Sequence, residues 1–154
     1  MMRYDADHDR KQPGWYQRLV DNPHLEAIMI ADAEGQILRS TYPLRSSQDH
    51  IASMFQALEV LAQALMHEFD SDHVCVIHLM MSDCHVLLYP LLDSRYFLLV
   101  QIERSAPLML VTVEMNRVIE DVTLSDLNAM QHETLPVRTE SDLDAEELID
   151  AVQE

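Results

Sequence analysis

The residues of this chain that could do chemistry fall into three small groups. Asp5, Asp7 and Asp9 alternate like the first ligands of a calcium loop. The sixth position of such a loop should be glycine and is Arg10. The twelfth should be glutamate and is Tyr16, so the sharp turn and the bidentate ligand are both missing. A solvated acidic terminus is the expectation. His67, Asp70, Asp72 and His73, with Glu68, could face a divalent ion, but their spacing matches no zinc pattern and a polar helix end is expected. Cys75 and Cys84 could be bridged, or could share a metal with His73 and His85. A turn at Ser82-Asp83 would set Cys84 opposite Met81, leaving Cys75 about 20 Å down the strand and out of disulfide reach. GxSxG and HExxH patterns are absent. The expectation is therefore no catalytic residue, no metal and no cofactor. The eight histidines are expected at scattered surface and strand positions rather than in a pH switch. Met54, Met66, Met80 and Met81 could be an adaptable partner surface or core filler.

Composition narrows the function further. The 154 residues carry 27 acidic and 10 basic side chains, a formal net charge of −17, which repels phosphate backbones and anionic headgroups. Neither a nucleic acid nor a membrane is an expected partner. Only Gly14 and Gly35 are glycines, too few for a phosphate-cradling loop or a dinucleotide fingerprint. The polar first residues lack the apolar stretch of a signal peptide, and no apolar run is long enough to span a bilayer. A cytoplasmic location with reduced cysteines is expected.

The elements follow from periodicity. Pro13 to Val20 suits a short helix with Trp15, Leu19 and Tyr16 as its apolar contacts, broken at Asn22-Pro23. Leu25 to Ala31 reads as a buried strand, and Ile37 to Thr41 as its hairpin partner, with Gly35 supplying the positive φ of the turn. Ser46 or Ser47 caps a helix over residues 48–69. Its apolar residues run from Ala64 and Ala57, through Leu61 and Met54, to Ile51 and Phe55. That is roughly half the circumference, where a single docking face needs about 100°. Either the helix packs against two things, or it is sunk deeply in its own domain. Three strands follow over His73–Met80, His85–Tyr89 (ended by Pro90) and Arg95–Ile102, with short connections that make neighbours antiparallel. Leu108 to Val122 fits a helix opened by Pro107, although Leu110 to Val113 could also pass as a strand.

In this order and with these lengths the chain resembles the roadblock/dynein-light-chain family. The likeness rests on LEAIMIADAEGQILRST at Leu25–Thr41, the helix Gln48–Phe69, the hairpin Val74–Pro90 and the strand Tyr96–Ile102 followed by LMLVTVEMNRVIEDV. It implies an α+β, roadblock/profilin-like α-β-β-α-β-β-β-α fold. Its five-stranded antiparallel sheet would carry the long helix on one face and the terminal helices on the other. It also implies a homodimer formed through the third strand and the long helix. Family members regulate Ras-like small GTPases or act as adaptors, and the family pattern has no catalytic residue to carry over. A flexible N-terminus (1–12), a roadblock-like domain (13–122) and an acidic tail with a short amphipathic helix (123–154) are the expected divisions.

The dimer also has a physical warrant. Val74, Cys75, Val76, Ile77 and His78 sit in a strand without a lysine or proline guard, so a free edge there invites pairing with its own copy. Met54, Ala57, Leu61 and Ala64 would meet their mates across the same twofold axis. In the tail, residues 123–141 show no strong period and read as a linker. Ser141 and Asp144 form a capping box, and Ala145, Leu148, Ile149 and Val152 line a helix too short to stand alone, which suits a partner-binding or self-covering role. The rival function is a small-molecule-sensing domain, which needs an apolar cavity of about 300 Å³ or more.

Overall fold

A computed structural model describes residues 12–41 and 47–133. The Asp5-Asp7-Asp9 string, the Ser46 cap and the tail residues Ala145, Leu148, Ile149 and Val152 lie outside the described residues. The chain divides after Val122 into two compact units.

In the first unit helix α1 (Gly14–Asp21) leads into β1 (Leu25–Asp32) and β2 (Ile37–Ser40). The long helix α2 (Ser47–Glu68) follows, then β3 (Ile77–Met80), β4 (Cys84–Leu91), β5 (Tyr96–Glu103) and α3 (Leu108–Asp121). The five strands form one antiparallel sheet in the order β2-β1-β5-β4-β3. Alternation along the strands gives it two buried faces. Met29, Leu88, Phe97 and Leu99 pack with Phe55 of α2 on one face. Ile28, Ile30, Leu98, Val100 and Ile102 are buried on the other, where α1 and α3 pack together and bring Trp15, Leu19, Val111 and Met115. This is the expected α+β architecture. Leu110 to Val113, ambiguous in sequence, is helical; Pro107 stands at the N-cap, one residue before the helix, and its carbonyl accepts the N–H of Val111 at 3.1 Å.

The β1–β2 turn is built by two residues. Gly35 takes φ +88°, and the Asp32 carboxylate accepts the N–H groups of Glu34 (3.0 Å) and Gln36 (2.9 Å). The β4–β5 turn has no glycine at all. Leu92, Asp93 and Ser94 all adopt positive φ, at 49°, 57° and 64°. Left-handed backbone costs a residue with a Cβ about 1–2 kcal/mol, part of which glycine returns as chain entropy. Replacing the exposed Asp93 by glycine is therefore expected to stabilise the fold by about 0.5–1 kcal/mol. Urea unfolding checks it, and an unchanged or lower midpoint would show that the turn is not strained.

Two expectations about the strands are corrected, and both corrections come from Pro90. It was expected to end the fourth strand, yet it lies inside β4, paired with Phe97 of β5. The third strand was expected over His73–Met80, yet it starts at Ile77, so Val74, Cys75 and Val76 precede it. The register explains both. Met81 donates its N–H to the Cys84 carbonyl at 2.9 Å, and Ile77 lies opposite Leu88, so hydrogen-bonded pairs recur at odd positions of β3. Continued by two residues, this ladder would set Cys75 in a hydrogen-bonded pair with Pro90, which has no N–H to give. Proline thus stays in β4, turned away from β5, and stops β3 instead.

In the second unit residues 124–133 are helical, where a linker was expected. We call this helix α4. The Thr123 hydroxyl caps it by accepting the N–H of Asp126 at 3.1 Å, and Leu127 and Met130 are buried.

Candidate self-association surface

Half of the apolar arc of α2 stays uncovered. Ala52 and Phe55 are buried against the sheet, with Ile51 and Leu58 beside them. On the other side Met54 is 56% exposed, Leu61 58%, Leu65 50% and Phe69 75%, and Ala57 and Ala64 are exposed among them. The helix is therefore not sunk in its own domain. Exposed apolar side chains at helical spacing over four turns make a patch of a kind that marks interaction sites. The small Ala57 and Ala64, one heptad apart, leave room for another helix to approach.

The patch continues toward the sheet edge. Leu61 and Leu65 of α2 and Phe69 just after it, with Val74, Val76 and Ile77, line a groove of about 400 Å³. β3 is the outer strand, hydrogen-bonded only to β4. Its odd positions bond β4, which turns the main-chain groups of His78 and Met80 outward, away from the sheet. The structure thus places Met54, Ala57, Leu61 and Ala64 on the uncovered side of α2. His78 and Ile77 stand in the edge strand, while Val74, Cys75 and Val76 lie in the segment leading to it.

On the opposite face of β3, His78 Nε2 lies 3.0 Å from His85 Nδ1, and Arg104 approaches His85 Nε2 at 3.3 Å. Sequence reading scattered the histidines over the surface and missed this pair. The signal was available in the register: a turn at Ser82-Asp83 puts residues 78 and 85 on one face as diagonal neighbours.

The candidate chemical groups do not assemble. Among the described residues no three of His, Cys, Asp or Glu are placed to hold a metal ion. Cys75 is exposed and Cys84 buried, and both are free thiols. Burial, then the carboxylates of Asp83 and Glu26, push the Cys84 thiol up, away from the thiolate a nucleophile needs. The Tyr89 hydroxyl is buried without a hydrogen-bond partner, and burial pushes it up to about 12. No helix among the described residues is long and apolar enough to cross a membrane.

This fold agrees with comparisons to known proteins. The sequence pattern of the Roadblock/LC7 domain matches residues 16–102, more than half of the chain, and the chain belongs to the Roadblock/LC7 family. Among solved structures it is similar to a Roadblock/LC7 domain from Streptomyces avermitilis, at 18% identity and TM-score 0.62, over 73% of this chain and 95% of that one. It is similar to MglB of Myxococcus xanthus, at 14% identity and TM-score 0.61, over 75% of this chain and 90% of that one. The gliding protein MglB of Thermus thermophilus matches at 16% identity and TM-score 0.58, over 79% and 94%. Among curated proteins no match was found.

Proposed function

We propose that this protein is a non-enzymatic homodimer that regulates a Ras-like small GTPase or serves as its adaptor. The observation that carries the reading is the apolar side of α2, running without a break into the open edge of β3. One isologous interface would cover both: β3 pairs with its copy to extend the sheet, and α2 packs on its copy through Met54, Ala57, Leu61 and Ala64. The segment Val74-Cys75-Val76 flanks that seam. The GTPase as partner rests on family membership, since roadblock proteins serve such switches, and an acidic surface suits a partner with basic patches. The regulatory work is then done by binding, not by bond chemistry. The tail residues Ala145, Leu148, Ile149 and Val152 are assigned a partner-binding role, and the cytoplasm is the proposed location.

Affinity capture from cell extract tests the partner class. The wild-type protein is expected to recover a Ras-like GTPase, and a variant that cannot dimerise, Ala57→Arg, to recover at most a tenth as much. Recovery of no GTPase by the wild type would remove that partner class.

A further inference from the structure

We propose that Arg104, His85 and His78 form an acid-sensitive latch that holds the edge strand β3 on the sheet, so that proton uptake at this contact through His85 frees β3 and separates the two copies. The second half of this statement rests on the dimer proposed above; the first half stands on the single chain.

The latch follows from donor and acceptor roles. A guanidinium only donates, so Arg104 donates to His85 Nε2, and that nitrogen is bare. His85 then carries its proton on Nδ1 and donates it to His78 Nε2 at 3.0 Å. Both rings are neutral in this arrangement, with their planes tilted 48° and centroids 5.2 Å apart. A proton added to either ring sets two donors against each other and places a new cation beside Arg104. The same 3.0 Å spacing would suit two nitrogens on one metal ion. Metal on His85 Nδ1, however, would put a hydrogen on Nε2 facing the guanidinium, so the pair is built for protons.

β3 has little else to hold it on this face. It is four residues long and paired on one side only. Ile77 and Leu79 are half-buried toward α2, while His78 and Met80 are exposed on the other face. Beside the backbone ladder, the His78–His85 contact is thus the polar side-chain tie between β3 and β4 on this face. No carboxylate among the described residues hydrogen-bonds either ring. Glu103 is held by His24 at 2.8 Å, Asp121 by Arg18, Glu114 by Asn22 and Asp21 by Gln17. The buried side chains of α1 and α3 are Trp15, Tyr16, Leu19, Val111, Met115 and Val118, none of them an acid or a base near neutral pH.

The electrostatics support this direction. Burial, then the charge of Arg104, then His78 hold the His85 imidazole below its ordinary value of 6.5, against the weaker pull of the Arg104 backbone. A ring held down in this way lends stability that is complete above that ordinary value and is lost as pH falls through the lower folded value. The global charge acts the other way. With −17 at neutrality, acidification relieves repulsion between copies and favours association. Dissociation in mild acid would therefore be the mark of the latch and not of net charge.

The test compares the full-length wild type with a neutral double variant, His78→Asn/His85→Gln, at about pH 8 and about pH 5.8, on either side of ordinary imidazole titration. Analytical ultracentrifugation reads association, and amide hydrogen exchange reads the opening of Ile77–Met80. The expected result is a dimer dissociation constant at least about tenfold higher at the lower pH for the wild type only. Exchange across β3 should be faster there, again for the wild type only. Equal acid responses in both proteins, or none in the wild type, would overturn the latch. If the wild type is monomeric at both pH values, the dimer is wrong and exchange alone decides: acid-accelerated exchange confined to the wild type upholds the latch, and equal exchange sinks it.

Discussion

Ala57→Arg is expected to convert the protein into a monomer that unfolds at nearly the wild-type temperature. Ala57 is exposed in the single chain, in the middle of the bare side of α2. Arginine there costs the monomer little, because exposed helix positions away from special features change stability by about 0.5 kcal/mol or less. Across a twofold axis the same change places two guanidinium groups against apolar side chains and near each other. A buried charge without a partner costs about 3–5 kcal/mol, which raises the dissociation constant at least about a hundredfold. Light scattering at micromolar concentration reads the mass directly. A variant that remains dimeric would place the interface elsewhere, and a wild type that is monomeric would leave the face of α2 without its proposed mate.

The largest loss of stability is expected from Leu98→Ala. Leu98 is fully buried in β5, the central strand, paired to Ile30 of β1 and Tyr89 of β4 on the face covered by the terminal helices. Its neighbours belong to a sheet hydrogen-bonded on both sides and cannot collapse into the space. The cost should sit in the usual range for leucine truncation, about 3–4 kcal/mol. That lowers the midpoint of thermal unfolding by roughly 10–20 °C for a domain of this size. Leu110→Ala is the control, since Leu110 lies half exposed on α3 and should cost less than 1 kcal/mol. Similar losses from both would mean that the core does not centre on β5.

Leu98 and the bare side of α2 stand at opposite extremes of burial, and the sequence was easy to read in some elements and hard in others. Elements with one unbroken period were legible: α2 from its apolar spacing, β1 and β5 from short apolar runs, the first hairpin from Gly35. The excess apolar width of α2 was legible too, and the structure resolves the choice it left open, because Leu61 and its neighbours are bare. What failed depended on the register between strands. The role of Pro90 could not be read from its own strand, because its missing N–H matters to Cys75 across the ladder. The His78–His85 pair was hidden for the same reason. Helix α4 was missed on a different ground: Thr123 and Asp126 make a capping pattern, but the apolar residues behind them are few, Leu127 and Met130 carrying the buried side.

The proline inside β4 also bears on how long two copies would stay together. By cutting the outer strand to four residues, it leaves main-chain groups of two residues, His78 and Met80, to zip against a mate. A seam so short is closed chiefly by the greasy helices and opens without unfolding either subunit. In the proposed dimer the two copies would then exchange without either one unfolding.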